Sequence, residues 1–246
     1  MNDREFVADL HIHTVLSPCA QRDMFPHCIV LEALEKGIDI IAITDHNACE
    51  NVRLAVDLGE RFGLWVVPGI EVETKEEVHL LGYFPTCDHL LRFNRVVSAH
   101  LPLLPLNRAV WGEEWVVDED GHVAAEKDIL LAVSLRLSLE EVVGEIQRFE
   151  GVPVLAHVDR KAQSVFSQLG FIPPGLAVKV LEISSWVSPR EVEERFALSG
   201  YRFLRSSDAH ALPEVGRKVT FFRMATRSWD EFLLALFGEK GRNMRT

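Results

Sequence analysis

The stretch Val7-Ala-Asp-Leu-His-Ile-His13 constrains this chain more than any other. Residues 6–12 are apolar and β-branched enough to form a buried strand, and strand side chains alternate between faces. Asp9, His11 and His13 are therefore expected on one face. Three polar, metal-competent groups on a buried strand carry a desolvation cost unless something binds them. Imidazoles at i and i+2 can both reach one divalent ion. A lone His-x-His is weak support for that, so the remaining ligands have to come from elsewhere in the chain.

The 246 residues suit one large α/β domain or two small ones, and 48% hydrophobic content is enough for a substantial core. A net charge of −11 argues against broad, sequence-independent nucleic-acid binding, which needs a basic face. It leaves room for a nucleotide at a metal site, where bound cations invert the local field. Cys19, Cys28, Cys49 and Cys87 form no Cys-x-x-Cys pair and read as reduced thiols of a cytoplasmic protein. Cys19 is near enough to the His pair to be a ligand, although a small buried residue is the commoner role. No run approaches the ~18 apolar residues of a membrane span, and Met-Asn-Asp-Arg-Glu is no signal peptide.

After the first strand a loop covers 14–25, and Pro26 suits the first turn of a helix reaching about Lys36, stopped by Gly37. Ile38-Asp-Ile-Ile-Ala-Ile43 has the nearly continuous apolar character of a parallel strand covered on both faces. It ends at Thr44-Asp-His-Asn47. A helix over about 49–62 closes at Gly63, and the strand 64–67 leads into Pro68-Gly-Ile-Glu71. A further β segment over 78–84 carries His79 near its start. From Pro85 to Leu137 the alternation breaks. Leu101-Pro-Leu-Leu-Pro-Leu106 cannot continue a helix through its prolines, and 115–125 has the pattern of a small hairpin turning at Asp118-Glu-Asp-Gly121. The region 100–137 is expected to be an insertion or lid within a single domain spanning 1–246, with Trp111 and Trp115 available to line a substrate entrance.

Ser138-Leu-Glu-Glu141 is a capping box opening a helix to about Phe149. The strand 152–156 ends at His157, short helical pieces are expected on both sides of Pro173-Pro174, and the strand 178–183 precedes a helix over 189–198. Residues 203–206 form a strand ending at Ser207-Asp-Ala-His210, and 219–224 and 228–237 add a last strand and helix. Roughly seven βα units without an internal repeat pack naturally as a closed or nearly closed, TIM-like α/β barrel.

His11, His13, His46, Glu71, His79, His157, Asp208 and His210 all fall at strand ends, the usual place for active sites in parallel α/β folds. A single catalytic zinc needs only about three or four protein ligands. The surplus implies two or three metals, with Glu71 able to bridge a pair. Metals ~3.5–4 Å apart can hold a hydroxide and stabilise an in-line displacement at phosphorus.

Asp-Leu-His-Ile-His-Thr at 9–14, Thr-Asp-His-Asn at 44–47, Pro-Gly-Ile-Glu at 68–71, Ala-His at 156–157 and Ser-Asp-Ala-His at 207–210 occur in order. Together they resemble the motifs of the PHP (polymerase and histidinol phosphatase) family of metal-dependent phosphoesterases, over about 5–84 and 150–225. The resemblance implies a distorted (β/α)7 barrel, two or three zinc, manganese or iron ions, and phosphoester hydrolysis by a metal-activated hydroxide. It places His11 and His13 on the first metal with Glu71 and Asp208, and lets Glu71 bridge to a second held by His79 and His157. His46 and His210 hold the third. The third site takes one more Asp or His from the loop after His-x-His. That position counts to Gln21, a poor ligand; either Asp23 substitutes, or the site is weak or empty. Ser17-Pro-Cys-Ala20 and Glu76-Glu-Val-His79 are similar to a subgroup of free-standing bacterial members.

Asp9 and Asp45 precede ligand positions and suit hydrogen bonds to imidazoles. Arg160, beside His157, is either a solvated loop residue or a phosphate-binding cation; Lys161 is the weaker candidate. His157 and Asp208, with Arg160, are the residues on which activity is expected to depend. His27, His89, His100 and His122 show no ligand spacing. Ser184-Ser185 and Ser206-Ser207 lack nucleophile-elbow glycines, and Trp186 reads as packing. The expected substrate is a small phosphorylated molecule, a nucleotide or a short oligonucleotide end, with no long nucleic acid and no membrane as partner. Two alternatives stand beside this. A metal-dependent amidohydrolase would commonly use a carboxylated lysine where Glu71 stands, and a non-catalytic metal-binding regulatory module would be consistent with Gln21.

Overall fold

A computed structural model of the protein describes residues 3–184 and 187–246; Ser185 and Trp186 lie outside the described residues. The chain begins as the apolar pattern predicts, with β1 (Arg4–Ile12), α1 (Pro26–Glu35), β2 (Ile40–Ile43), α2 (Val52–Phe62) and β3 (Trp65–Glu73). Every residue of β2 is buried, and its pairings with β1 and β3 are both parallel. β4 (His79–Tyr83) then turns back against β3, and α3 (Cys87–His100), α4 (Arg108–Trp111), β5 (Trp115–Val117) and β6 (Val123–Glu126) follow. Regular alternation resumes with α5 (Leu139–Arg148), β7 (Val152–Leu155), α6 (Val165–Gln168), β8 (Val180–Ile183), α7 (Pro189–Phe196) and β9 (Arg202–Arg205). β10 (Thr220–Met224), α8 (Trp229–Phe237) and β11 (Asn243–Arg245) complete it.

The wall of the barrel runs β1-β2-β3-β4-β7-β8-β9. At the rim it closes where Ile12 bridges to Ala209: His13 N–H donates to Ala209 O at 3.0 Å, and Ala209 N–H to His11 O at 3.2 Å. At the opposite end β10 pairs antiparallel with the start of β1 and carries β11 on its outer edge. This is the distorted (β/α)7 barrel. One distortion matters for chemistry. Because β4 is antiparallel to β3 and β7, its first residue, not its last, lies at the rim where the other strands end. His79 reaches the site for that reason, and it pairs in register with Glu73 of β3.

A second distortion corrects the expectation for β1. Asp9 pairs with Ile41 and Ile12 with Ile43, so β1 holds one extra residue between them, a bulge. A bulge re-aims the side chains that follow it, and Asp9 and His11 no longer share surroundings. Asp9 accepts from Ser207 N–H at 2.9 Å, Ser207 Oγ at 2.6 Å and Gly216 N–H at 2.7 Å, with no imidazole partner among the described residues. His11 turns into the barrel beside Glu182.

Ala8, Leu10, Ile40, Ala42, Val67, Leu81, Val154, Val180 and Leu204 form one buried cluster drawn from every wall strand, the barrel interior. Phe232 of α8 belongs to it and lies against Trp65 and Tyr83, so α8 plugs the end opposite the rim. Gly69 sits where a Cβ would come within 2.8 Å of Thr44 Cγ2 and 3.0 Å of Ile43 O. The glycine of Pro-Gly-Ile-Glu is thus a close-approach residue between β2 and β3.

The break in alternation begins later than Pro85. Thr86 accepts from His89 N–H and starts the 14-residue helix α3, and only 101–137 is irregular, with the hairpin β5–β6 where the turn pattern placed it. Near Pro173-Pro174 only the preceding turn, α6, forms; among the described residues no helix follows before α7. The segment is tied to the rim by Asn47 of the Thr-Asp-His-Asn motif and by Asn51 just before α2. Asn47 Nδ2 donates to the carbonyls of Leu131 and Val133 at 2.7 and 2.8 Å. Asn51 Nδ2 donates to Trp115 O at 3.0 Å, and Asn51 Oδ1 accepts from Val117 N–H at 2.9 Å.

Candidate metal centre

The rim ends of the strands deliver the expected polar groups to one place. Glu71, 1% exposed, is ringed by five imidazoles. Its Oε1 lies 2.8 Å from His79 Nδ1, 3.2 Å from His157 Nε2 and 3.3 Å from His11 Nε2. Its Oε2 lies 3.1 Å from His46 Nδ1 and 3.4 Å from His13 Nε2. Asp208 Oδ1 is 3.2 Å from both His11 Nε2 and His13 Nε2. His157 and Asp208 adopt φ of +29° and +52°, a region sparsely populated by non-glycine residues and often found where function holds a side chain in place.

Three histidines are held by one ring nitrogen so that the other is free to coordinate. His11 Nδ1 lies 3.0 Å from Glu182 Oε2. His13 Nδ1 lies 3.0 Å from Ser17 Oγ, whose own hydroxyl donates to Asp45 Oδ1 at 2.7 Å and so leaves Ser17 to accept. His210 Nδ1 donates to the Asp208 carbonyl at 2.9 Å. Each contact fixes Nε2 as the lone-pair nitrogen, the usual way a protein orients a metal-binding imidazole. Asp45 thus serves His13 through Ser17, and it also accepts from Thr14 N–H and Oγ1.

The protonation balance reflects this crowding. Burial pushes Glu71 up, but His79 and His11 outweigh it and hold its carboxyl well below the usual range. Asp208 is likewise held low by His11 and His13 against burial. Burial drives His13 well down, reinforced by the neighbouring His210 and His46, and drives His157 down despite Glu71.

The donor set fits divalent ions. His11 Nε2 and His13 Nε2 face each other at 3.2 Å, and His157 Nδ1 is buried with no hydrogen-bond partner. His46 Nδ1 faces Glu71 Oε2 without hydrogen-bond geometry. Ligand atoms of His11, His13 and Asp208 lie within 4.8 Å of one another, as do those of His46, Glu71 and His79, and those of His13, Cys19, His46 and His210. Asp23 is exposed and stands outside these groups, which corrects its assignment to the third site. Gln21 is exposed too, and its backbone N–H is engaged by His210 O at 2.7 Å.

Two acids escaped the sequence reading. Glu182, 1% exposed, takes His11 Nδ1 and accepts from His157 N–H at 3.0 Å; an acid inside Val-Leu-Glu-Ile was the available signal, since a buried charge needs partners. Glu73 lies 3.5 Å from His79 Nε2 and accepts from Ser134 Oγ at 2.5 Å. Arg160, its side chain 43% exposed, brings Nη2 to 2.5 Å from Asp208 Oδ2 as an ion pair. A cavity of 390 Å³ holds the cluster, with Arg160, Trp111 and Gln163 in its wall. A larger one of 530 Å³ lies between α5, the start of β7 and α8, away from the imidazoles, and is lined in large part by apolar groups.

A family model described as PHP-associated matches residues 191–238. The phosphoribosyl 1,2-cyclic phosphate 1,2-diphosphodiesterase of Eggerthella lenta is 36% identical over 81 residues, covering 31% of this chain and 30% of that protein. A lesion-specific endonuclease from Pyrococcus furiosus superposes with a TM-score of 0.75 at 18% identity, over 98% of this chain and 58% of that one. An endonuclease Q bound to a 27-mer duplex with an abasic lesion at its active site gives 0.73 at 18% identity, over 98% of this chain and 58% of that one. An amidohydrolase from Chromobacterium violaceum gives 0.56 at 18% identity, over 85% and 89%. The chain therefore spans under a third of the diphosphodiesterase and under two thirds of the endonuclease. The duplex complex overturns the expectation that long nucleic acid is no partner. The same fold holds duplex DNA, and net charge does not decide the matter where bound cations set the local field. No helix among the described residues is long and apolar enough to cross a membrane.

Proposed function

We propose that the chain is a metal-dependent phosphoesterase of the PHP family, a reading supported by the PHP-associated match and the diphosphodiesterase relative, and that its rim cluster hydrolyses a phosphoester on a nucleotide-sized group, free or within a strand. The observation that carries this is the buried Glu71 carboxylate with five imidazoles at 2.8–3.4 Å. In this reading His11, His13 and Asp208 would hold a first ion and His79 and His157 a second, with Glu71 able to serve both, and His46 and His210 would serve a third. Divalent ions there would acidify a water into a nucleophile and neutralise charge developing at phosphorus.

The chain's own residues supply the rest. Glu182, Ser17 with Asp45, and the Asp208 carbonyl fix the imidazoles so that no ring must rotate during reaction. Arg160 can exchange its pairing with Asp208 for a substrate phosphate, to which a guanidinium presents paired donors. The 390 Å³ cavity suits one nucleotide or phosphosugar. The segment 100–137 supplies a wall, or lid, through Trp111 and Ala132 within a single domain. A reducing, cytoplasmic setting is consistent with four free thiols. The amidohydrolase reading lacks support from the site: no lysine lines the cavity among the described residues, and Glu71 takes the bridging place.

The test is product release by manganese- or zinc-loaded protein over nucleotide mono- and bisphosphates, histidinol phosphate, sugar phosphates, a short oligonucleotide and a duplex bearing an abasic site. Turnover of one member that disappears in His157→Ala and Asp208→Ala is expected. Full activity in either variant, or silence across the panel with metal demonstrably bound, would refute the reading.

A further inference from the structure

We propose that the protein's third metal site is a thiolate–imidazole site, completed by Cys19 with His46 and His210, and that it selects zinc over manganese or magnesium. The proposal rests on the reading that the rim cluster holds metal, but not on what the cluster hydrolyses. Cys19 Sγ and ring nitrogens of His46, His210 and His13 all lie within 4.8 Å of one another, the spread of ligands around one ion. The second observation is His46, 93% buried, which stands between the two groups: its Nδ1 faces Glu71 Oε2 at 3.1 Å but makes no hydrogen bond among the described residues, and a ring nitrogen of the same side chain lies within 4.8 Å of Cys19 Sγ. His210 Nδ1 is committed to the Asp208 carbonyl at 2.9 Å, so its Nε2 is the nitrogen available for an ion. His13 is claimed by the neighbouring site through Asp208 at 3.2 Å and Glu71 at 3.4 Å, which leaves Cys19 as the third protein ligand.

The loop geometry makes the thiol's placement a built feature. Ala20 N–H donates to Ser17 O at 3.0 Å, and Ser17 Oγ accepts from His46 N–H at 3.2 Å. Gln21 N–H on Cys19's other side is bound to His210 O at 2.7 Å. The two backbone clamps hold Cys19 between the imidazoles it would join. One neutral-to-anionic sulfur and two imidazoles are soft to borderline ligands, a set that suits zinc and disfavours magnesium and manganese. Binding releases the thiol proton to solvent as the sulfur–metal bond forms. A zinc ion held by these three protein ligands would keep a position for a water or a substrate oxygen.

The test loads the full chain with cobalt(II), whose bond to thiolate gives a strong near-ultraviolet charge-transfer absorption that imidazole and carboxylate ligands do not. The wild type and a Cys28→Ser control are expected to show the band. Cys19→Ser is expected to lose it and to bind zinc at the third site at least about 10- to 100-fold more weakly. Cys19→Asp, a hard ligand of similar reach, is expected to lose the band yet shift the site's preference towards manganese. A band that survives in Cys19→Ser, or no band in the wild type, would overturn the proposal. A measurement on unmutated protein guards against misfolding of the variants. With zinc at about 100 times its dissociation constant, alkylation of Cys19 by iodoacetamide should slow about 100-fold and recover on chelation; equal rates with and without zinc would also overturn it. Because none of these readouts needs a substrate, failure of the phosphoesterase reading and failure of this one are separable.

Discussion

Replacing Glu182 tests whether the imidazoles are oriented from behind, as the geometry requires. Its Oε2 lies 3.0 Å from His11 Nδ1 and 3.0 Å from His157 N, so one oxygen serves two buried donors. Glu182→Gln keeps an oxygen for that position but removes the charge and places an amide N–H near His11 Nδ1, where Oε1 now stands at 3.1 Å. Partners of this kind are worth about 10- to 100-fold in metal affinity, or about 1.4–2.8 kcal/mol. Glu182→Ala leaves both donors unsatisfied, at about 1–3 kcal/mol each, and is expected to unfold earlier as well as bind more weakly. Chelator competition reports zinc affinity, and thermal melting in excess chelator reports the fold without metal. The expected pattern is a weakened affinity in Gln with a chelated melting temperature near wild type, and losses of both in Ala. Unchanged zinc affinity in Glu182→Gln would refute the idea that this acid positions His11.

Three further outcomes follow from single contacts. Arg160→Ala should lower kcat/KM by about 100-fold, as loss of a charged phosphate contact does, while melting is unchanged because the side chain is 43% exposed; steady-state kinetics decide it. Gly69→Ala forces a Cβ to 2.8 Å from Thr44 Cγ2, which should cost about 1–3 kcal/mol and lower Tm by about 2–4 °C per kcal/mol. Glu114 is fully buried, with Oε1 accepting from Leu131 N–H at 2.9 Å and Oε2 unpartnered, and burial pushes its carboxyl from 4.5 up to about 7. A raised acid holds its proton better folded than unfolded, so its stabilising contribution is full below 4.5 and lost as pH rises to about 7. Glu114→Gln should therefore match wild type in chelated melts at pH ~4 and exceed it by about 2–4 kcal/mol at pH ~8; an identical difference at both pH values would refute this.

Much of the site was legible because local pattern and strand ends coincide. A β-branched apolar run such as Ile40–Ile43, bounded by turn residues, reads as a covered strand and is one, and polar residues just past such runs fall at the rim. His11, His13, His46, Glu71, His157, Asp208 and His210 were expected at the rim on this ground, where the structure brings them together, and the hairpin within 115–126 was legible from its turn residues. The ordered motifs also carry roles that became visible only in space. Gly69 allows a close approach to Thr44, Asn47 ties the irregular segment to the rim, and Asp45 acts on His13 through Ser17.

What pattern could not decide is whatever depends on register between distant strands. The extra residue in β1 separates Asp9 from His11, although simple alternation puts them on one face. β4 runs antiparallel, so a strand's beginning rather than its end supplies His79. Glu182 lies 171 residues from the ring it orients, and Cys19, not Asp23, is the loop residue that meets His46 and His210. Sequence by itself determined which residues are buried strand and which polar groups cap them, because hydrophobic periodicity is a local property. Tertiary structure alone decided which of those groups meet and through which atom, because that is set by bulges, strand direction and closure of the barrel between residues far apart in the chain.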